Sequence, residues 1–214
     1  MTFYYLLVRK FLSLLLRIFY GLKIRGIKAG DWQDGALIAS NHQSALDPII
    51  VGSAAPPEMF YFAKDEIFTW PVLGFLAKTF NAFPTKRGAF DLEAIRKANS
   101  ILKQEKNLLL FIEGTRSKDG NLLPAKKGVG MLAIQNRVDI IPAYVYGSFH
   151  LRKAFFKFPG LVVSFGDRIK IQDYLSMQLP NKKLYGMISD DVMEQIIKLR
   201  GETLDYLTSI KKLH

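Results

Sequence analysis

The chain has 214 residues, 49% of them hydrophobic, which suits one compact domain, or a domain with an appendage, and supplies enough apolar material for a real core. Thirty Lys and Arg against nineteen Asp and Glu give a formal charge of +11, which favours anionic partners such as phospholipid head groups, nucleic acid or an acidic protein without choosing among them. There is no cysteine, so disulfides, thiolate nucleophiles and Cys-based metal sites are excluded, and covalent catalysis would need another nucleophile.

The first 28 residues carry Arg9, Lys10, Arg17, Lys23, Arg25 and Lys28 and no acid before Asp31, an asymmetry that suits an anionic membrane face. Phe3 to Leu22 is mostly apolar, but Arg9, Lys10 and Arg17 break the run below the roughly 18 uninterrupted positions of a spanning helix. On a helix, Thr2, Arg9, Lys10, Ser13 and Arg17 gather within about a quarter of the circumference, shared with Leu6 and Tyr20. The rest is Leu, Phe, Ile, Val and Tyr. This is the wide apolar face of a helix lying in the interface, with a core helix bearing one solvated stripe as the alternative. The sequence therefore divides into a membrane-interface anchor over residues 1–28 and an α/β domain over 29–214. An uncharged h-region and a small-residue cleavage site are both missing, so the segment does not read as a signal peptide.

Beyond the anchor, short apolar runs alternate with amphipathic stretches, the rhythm of a mixed, largely parallel sheet flanked by helices. Strands are expected at Ala36–Ser40, Met59–Ala63, Asn107–Ile112, Ile140–Tyr146 and Leu161–Phe165. Helices are expected at Asp47–Ser53, Trp70–Phe80, Asp91–Gln104, Lys127–Asn136 and Ser189–Ile210. In the Asp91 helix, Leu92, Ile95, Ala98 and Leu102 would form the buried face.

Two segments at strand ends carry chemistry. Asn41-His42-Gln43-Ser44-Ala45-Leu46-Asp47-Pro48 follows the first strand, where α/β folds place reactive groups. Histidine titrates near neutrality and can accept a hydroxyl proton. A carboxylate five residues on can fix its tautomer and stabilise the imidazolium. Asp47 before Pro48 also fits a helix N-cap, and one carboxylate has oxygens for both roles. Phe111-Ile112-Glu113-Gly114-Thr115-Arg116-Ser117 follows another strand. Its glycine frees the turn, and Arg116, Thr115, Ser117 and the backbone N–H groups offer donors to a phosphate. The spacing is not that of a Walker loop, and a polar turn closed by Asp119-Gly120 is the plain alternative. Phe83-Pro84-Thr85-Lys86-Arg87-Gly88 and Ile141-Pro142-Ala143-Tyr144-Val145-Tyr146-Gly147 are unremarkable alone.

In this order, the four segments resemble those of the glycerolipid acyltransferases, specifically the 1-acylglycerol-3-phosphate acyltransferases: His-x4-Asp, a Pro-x-x-Arg type segment, a Phe-Pro-Glu-Gly-Thr-Arg-Ser block and a late proline-bearing strand. The resemblance spans about residues 36–147, with Ile112 where the family usually has proline. It implies His42 as general base toward a lysophospholipid hydroxyl, Asp47 as its orienting partner, and direct transfer without an acyl-enzyme. It also implies Arg87, Glu113, Gly114, Thr115 and Arg116 around the glycerol phosphate. An ionised Glu113 would repel phosphate, so it would orient an arginine or accept from a substrate hydroxyl. Lys64, at another strand end, is a further phosphate candidate.

No cofactor or metal is implied; the co-substrate is acyl-CoA or an acyl carrier protein thioester. The expected partners are an anionic phospholipid membrane, a lysophospholipid acceptor and that donor, with a monotopic seat on the cytoplasmic face. Phe68 to Leu76 is a candidate acyl groove, and Phe149 to Pro159, mixing Arg152, Lys153 and Lys157 with three phenylalanines, suits head-group contact. His150 and His214 lack partner motifs. Glycerol 3-phosphate or another lysolipid is the rival acceptor, and a non-enzymatic basic membrane adaptor is the rival class. Nucleic acid is not expected, since no helix-turn-helix, aromatic RNA-binding motif or zinc pattern is present.

Overall fold

The computed structural model of the chain describes residues 3–26, 32, 35–85 and 91–212. Its elements run α1 (Phe3–Tyr20), β1 (Lys23–Arg25), β2 (Leu37–Ser40), α2 (Asp47–Ala54), β3 (Met59–Lys64), α3 (Pro71–Thr79), β4 (Ala82–Thr85), α4 (Leu92–Lys103), β5 (Asn107–Phe111), α5 (Gly128–Asn136), β6 (Ile140–Tyr146), α6 (Leu151–Ala154), β7 (Val162–Phe165), α7 (Ile171–Leu175) and α8 (Asn181–Lys211). A 3₁₀ turn, Asp65–Thr69, joins β3 to α3.

Among the described residues the strands form one seven-stranded sheet in the order β1-β7-β6-β2-β5-β3-β4. Strands β2 to β6 all run parallel, while β7 is antiparallel to β6 and carries β1 parallel beside it, so the last two strands are reversed. The carboxyl ends of β2 and β5 lie level, Ser40 pairing with Phe111, and β6 ends opposite the start of β7, Tyr146 pairing with Val162. One edge of the sheet therefore collects the loops after β2, β5, β3, β4 and β6. The central strand β2, Leu-Ile-Ala-Ser, is buried at every position, the continuous apolar run of a parallel strand covered on both faces.

Two apolar layers cover the faces. One packs α4, α5, α7 and α8 over Leu37, Leu108 and Ile140; the other packs α1 and α2 over Ile38, Leu109 and Ile141. Gly130 allows the close approach of α5 to α8, because a Cβ there would run into the backbone of Tyr185. In α4 the buried face is Ala94, Ala98, Ile101 and Leu102, rotated from the face read in the sequence, and Leu92 is exposed. The helix begins at the Asp91 cap, whose carboxylate accepts the Ala94 N–H, and lays its small alanines toward the sheet.

Helix α8 starts eight residues before the sequence expectation, because Leu184 and Ile188 extend its buried stripe back to Pro180. The two strands the sequence missed, β1 and β4, are the outermost ones. They are short, and β4 contains Pro84, which an edge strand tolerates.

Helix α1 is both docked and exposed. Tyr5 is buried, its hydroxyl accepting the Met59 N–H at 3.1 Å and meeting the Tyr61 hydroxyl at 3.3 Å, while Val8, Leu12, Leu16 and Tyr20 lean on the same layer. Its outward face, Phe3, Tyr4, Leu7, Phe11, Leu14 and Ile18, is between 49% and 80% exposed. The polar arc lines a cleft against the end of α2, where the Arg9 guanidinium donates to the Ala55 carbonyl and Lys10 and Arg17 stay exposed. No described helix is long and apolar enough to cross a membrane. The sheet itself begins at Lys23, inside the segment read as anchor.

Candidate active site

The loop after β2 is anchored before it reaches its histidine. The buried Asn41 side chain donates to the Val145 carbonyl at 3.1 Å and accepts the Val145 N–H at 2.8 Å, fastening the end of β2 to β6. His42 follows, 13% exposed at its side chain, with Nδ1 2.9 Å from Asp47 Oδ2. That same carboxylate oxygen accepts the N–H groups of Gln43 at 2.6 Å and Ser44 at 2.7 Å, and Asp47 is fully buried. A carboxylate held by two backbone donors cannot swing away from the imidazole, so Nδ1 is committed to it and Nε2 is the ring nitrogen that can meet a ligand.

The double role read for Asp47 does not appear. Asp47 is the first residue of α2, after Leu46 at the cap position, and its bonds point back to Gln43 and Ser44 rather than forward into the helix. Pro48 stands at the start of the helix, where its missing N–H costs nothing, while the second oxygen, Oδ1, is buried without a hydrogen-bond partner.

The turn after β5 clasps the backbone of the histidine. Glu113 Oε1 accepts the His42 N–H at 3.2 Å, and the Ser117 N–H donates to the His42 carbonyl at 2.8 Å. Phe111 stacks on the imidazole, ring centroids 3.8 Å apart and planes within 12°. These contacts explain why the two segments occur together: one turn holds the other loop from above and below. Ile112 extends the ladder by one bond, its N–H donating to Ser40 at 3.0 Å.

Glu113 is 1% exposed and meets backbone, not an arginine. Burial pushes its carboxyl up to about 7, opposed by the N–H groups of His42 and Leu123 and reinforced by the nearby Asp47 charge. Gly114, at φ +68°, turns the chain into the left-handed region and presents Thr115 and Arg116 to solvent beside the histidine loop. Lys64 ends β3, half-exposed, and is paired with Glu66, which competes for its ammonium. Arg87 lies outside the described residues, as does His214, though β4 delivers the chain to the same edge.

In the candidate acyl groove Trp70 and Phe75 are exposed, and Phe155, Phe156 and Phe158 are exposed in the stretch read as head-group contact. Sequence reading missed Asn41 and Phe111 as supports of His42. Both flank the motifs directly, and the one available signal was a polar residue and an aromatic one ending otherwise aliphatic strands. Among the described residues, no group of three or more His, Asp or Glu gathers as metal ligands.

The centre is thus an imidazole–carboxylate pair beside a glycine turn at the carboxyl ends of parallel strands, where α/β folds place their sites. A family model described as Acyltransferase matches residues 22–146, more than half of the sequence, and the chain belongs to that family. It is 34% identical over 143 residues to a 1-acyl-sn-glycerol-3-phosphate acyltransferase of Limnanthes douglasii, covering 64% of this chain and 50% of that protein. The chain spans about half the length of the plant relatives of this kind. The Bacillus subtilis (strain 168) protein of the same description is 25% identical over 197 residues, covering 92% of this chain and 96% of its own. The fold is also that of the crystal structure of the 1-acyl-sn-glycerophosphate (LPA) acyltransferase PlsC from Thermotoga maritima. That match has a TM-score of 0.68 and 18% identity, and covers 91% of this chain and 79% of the other.

Proposed function

We propose that the protein transfers a fatty acyl chain from an acyl thioester to the free sn-2 hydroxyl of 1-acyl-glycerol 3-phosphate, giving phosphatidic acid. The observation that carries this reading is the His42–Asp47 pair, locked at 2.9 Å with Nε2 left to act and bracketed by the Glu113–Ser117 turn. The names of the relatives support the same acceptor.

In this mechanism His42 Nε2 takes the proton from the acceptor hydroxyl as its oxygen attacks the thioester carbonyl carbon. The tetrahedral intermediate collapses, the carbon–sulfur bond breaks, and the departing thiolate takes the proton back from the imidazolium. Asp47 holds the ring and stabilises its charged form. Arg116 grips the acceptor phosphate, with a guanidinium fork matched to its oxygens, and Thr115 and the turn N–H groups add donors. Lys64 and Arg87 complete the phosphate end. Lys64 lies two strands from His42, roughly 10 Å at ordinary strand spacing, within reach of a long side chain. Glu113 serves the acceptor indirectly, by fixing the backbone of His42.

The exposed stripe of α1 seats the protein on an anionic lipid surface as a monotopic enzyme of the cytoplasmic face. Helix α1 ends at the reacting edge: the Tyr20 carbonyl accepts the Gly160 and Leu161 N–H groups, and Phe19 stacks on Phe155 at 5.7 Å. A lipid acceptor drawn from that surface meets His42 with little travel.

The test is to incubate purified protein with 1-acyl-glycerol 3-phosphate, glycerol 3-phosphate and lysolipids of other head groups, each with acyl-CoA and with acyl carrier protein thioester, and to identify lipid products by mass. Phosphatidic acid from the first acceptor is expected. Product from another acceptor alone, or from none, overturns the assignment.

A further inference from the structure

The sheet order places His42, after β2, between two flanks of one edge. The described acceptor groups named above follow β5 or end β3, on one flank. On the other, at the end of β6 and the start of β7, a cavity of about 350 Å³ opens, within the size range of ligand pockets. Its lining includes Gln43, Tyr146, Lys153, Lys157 and Arg200. Gln43 directly follows His42, and its side-chain amide is held by the Gly120 carbonyl at 2.8 Å, so the cavity begins one residue from the imidazole. Lys153 and Lys157 are exposed, and Arg200 reaches in from α8. Among the described lining residues Asp119 is the one carboxylate. It accepts from the Ser117 hydroxyl and from the Asn121 N–H and side-chain amide, which keep it ionised, so the lining sets three cations against one carboxylate.

Two substrates must converge on His42, and the acceptor phosphate takes the β5 flank. The thioester must then approach from the other, with its sulfur end at Gln43 and its carrier outward. Acyl thioesters of coenzyme A and of carrier proteins share a pantetheine arm, two amides long and ending in a phosphate. A cavity that begins at the Gln43 amide and is lined by Lys153, Lys157 and Arg200, the last bonded to the buried Tyr144, offers groups for both ends of that arm.

We propose that this cavity binds the phosphopantetheine arm of the acyl donor, with Lys153, Lys157 and Arg200 on its phosphate; the proposal rests on the acyl-transfer reading. All of its lining except Gln43, Asp119, Gly120, Tyr144 and Tyr146 lies beyond the region that the family model matches.

The test uses the full chain, the double variant K153A/K157A, R200A and the conservative R200K. Donor KM is measured with acyl-CoA and with acyl carrier protein, alongside the KM for lysophosphatidate. Binding of unacylated coenzyme A and of 4′-phosphopantetheine is titrated separately by calorimetry. Donor KM is expected to rise about tenfold or more for both thioesters in the double variant and in R200A, with partial recovery in R200K and acceptor KM within about twofold. Both ligands should bind the wild type and lose affinity in the same variants. An unchanged donor KM overturns the proposal. So does a rise for only one of the two thioesters, which would place the cations on a nucleotide or on a protein surface, or a defect confined to sedimentation with phosphatidylglycerol vesicles. The titrations need no transfer reaction, so failure to make phosphatidic acid and failure of this site are told apart.

Discussion

The two flanks of His42 are built by opposite means. Toward β5, five consecutive residues, Glu113 to Ser117, do the work: two of them bond the backbone of His42 and a third, Gly114, sets the turn. Toward β6, the lining is drawn from the loops after β2 and β5, the end of β6, the α6 segment and α8, residues up to 161 positions apart that only the folded chain assembles. The first flank stands on two buried polar residues, Glu113 and Ser117, with Thr115 and Arg116 exposed between them, while the second is open and cationic. On the proposed roles, the geometry around the reacting histidine is encoded locally and densely, while a site for an extended, charged arm is scattered along the chain.

This contrast can be broken from either side. Removing the imbalance at its centre should have the largest effect. Asp47→Asn leaves Nδ1 without its carboxylate and should lower kcat about 10²-fold or more with little change in either KM, as initial rates of phosphatidic acid formation would show. Arg116→Ala belongs to the β5 flank, so it should raise the acceptor KM roughly tenfold while leaving the donor KM nearly unchanged, the mirror image of the cationic cavity variants. Equal rises in both constants would erase the distinction between the flanks.

Smaller effects sharpen the claim that the β5 flank stands on buried polar residues. The Glu113 carboxyl is raised from 4.5 to about 7, so the folded state holds its proton more tightly than the unfolded state does. Its contribution to stability is then fully present below pH 4.5 and is lost as pH climbs through 7. Glu113→Gln keeps an oxygen for the His42 N–H and removes the ionisation, so the fall in Tm between pH 5 and pH 8 should be shallower in the variant than in the wild type. A steeper fall would mean that the carboxylate form is the favoured one.

Tyr5→Phe, remote from both flanks, removes the acceptor for the Met59 N–H and should cost about 1–3 kcal/mol in denaturant unfolding without altering either KM. A changed KM would tie α1 directly to substrate binding.

The sequence made the first flank legible and hid the second for physical reasons. His42, Asp47 and Glu113–Arg116 sit at strand ends within short, patterned segments, so their chemistry and placement could be read together. The central strands were legible because their burial on both faces leaves unbroken apolar runs, as in Leu37–Ser40 and Ile140–Tyr146. The edge strands were not, since Lys23–Arg25 and Ala82–Thr85 have one neighbour each and need no such run.

Nothing local marks Arg200 as lining one cavity with Gln43, because α8 reads simply as an amphipathic helix. Nor could spacing tell that Asp47 turns its bonds back toward Gln43 and Ser44 instead of capping α2, since both uses place an aspartate before a proline. The dual character of α1 was partly visible. Its wide apolar face, read as that of a helix lying in the membrane interface, divides in the structure into a docked side and an exposed stripe, and the buried Tyr5 depends on Tyr61 and Met59, far along the chain.

The central claim, direct transfer with His42 as base, is tested most directly by following one reaction mixture of protein, acyl thioester and lysophosphatidate with both lipid and intact-protein mass analysis, for wild type and His42→Ala. The wild type should form phosphatidic acid with the protein mass unchanged at every time point, and His42→Ala, checked for folding, should form it at least about 10²-fold more slowly. A protein species heavier by one acyl group that forms and decays with product, or a His42→Ala variant as fast as the wild type, would contradict the account.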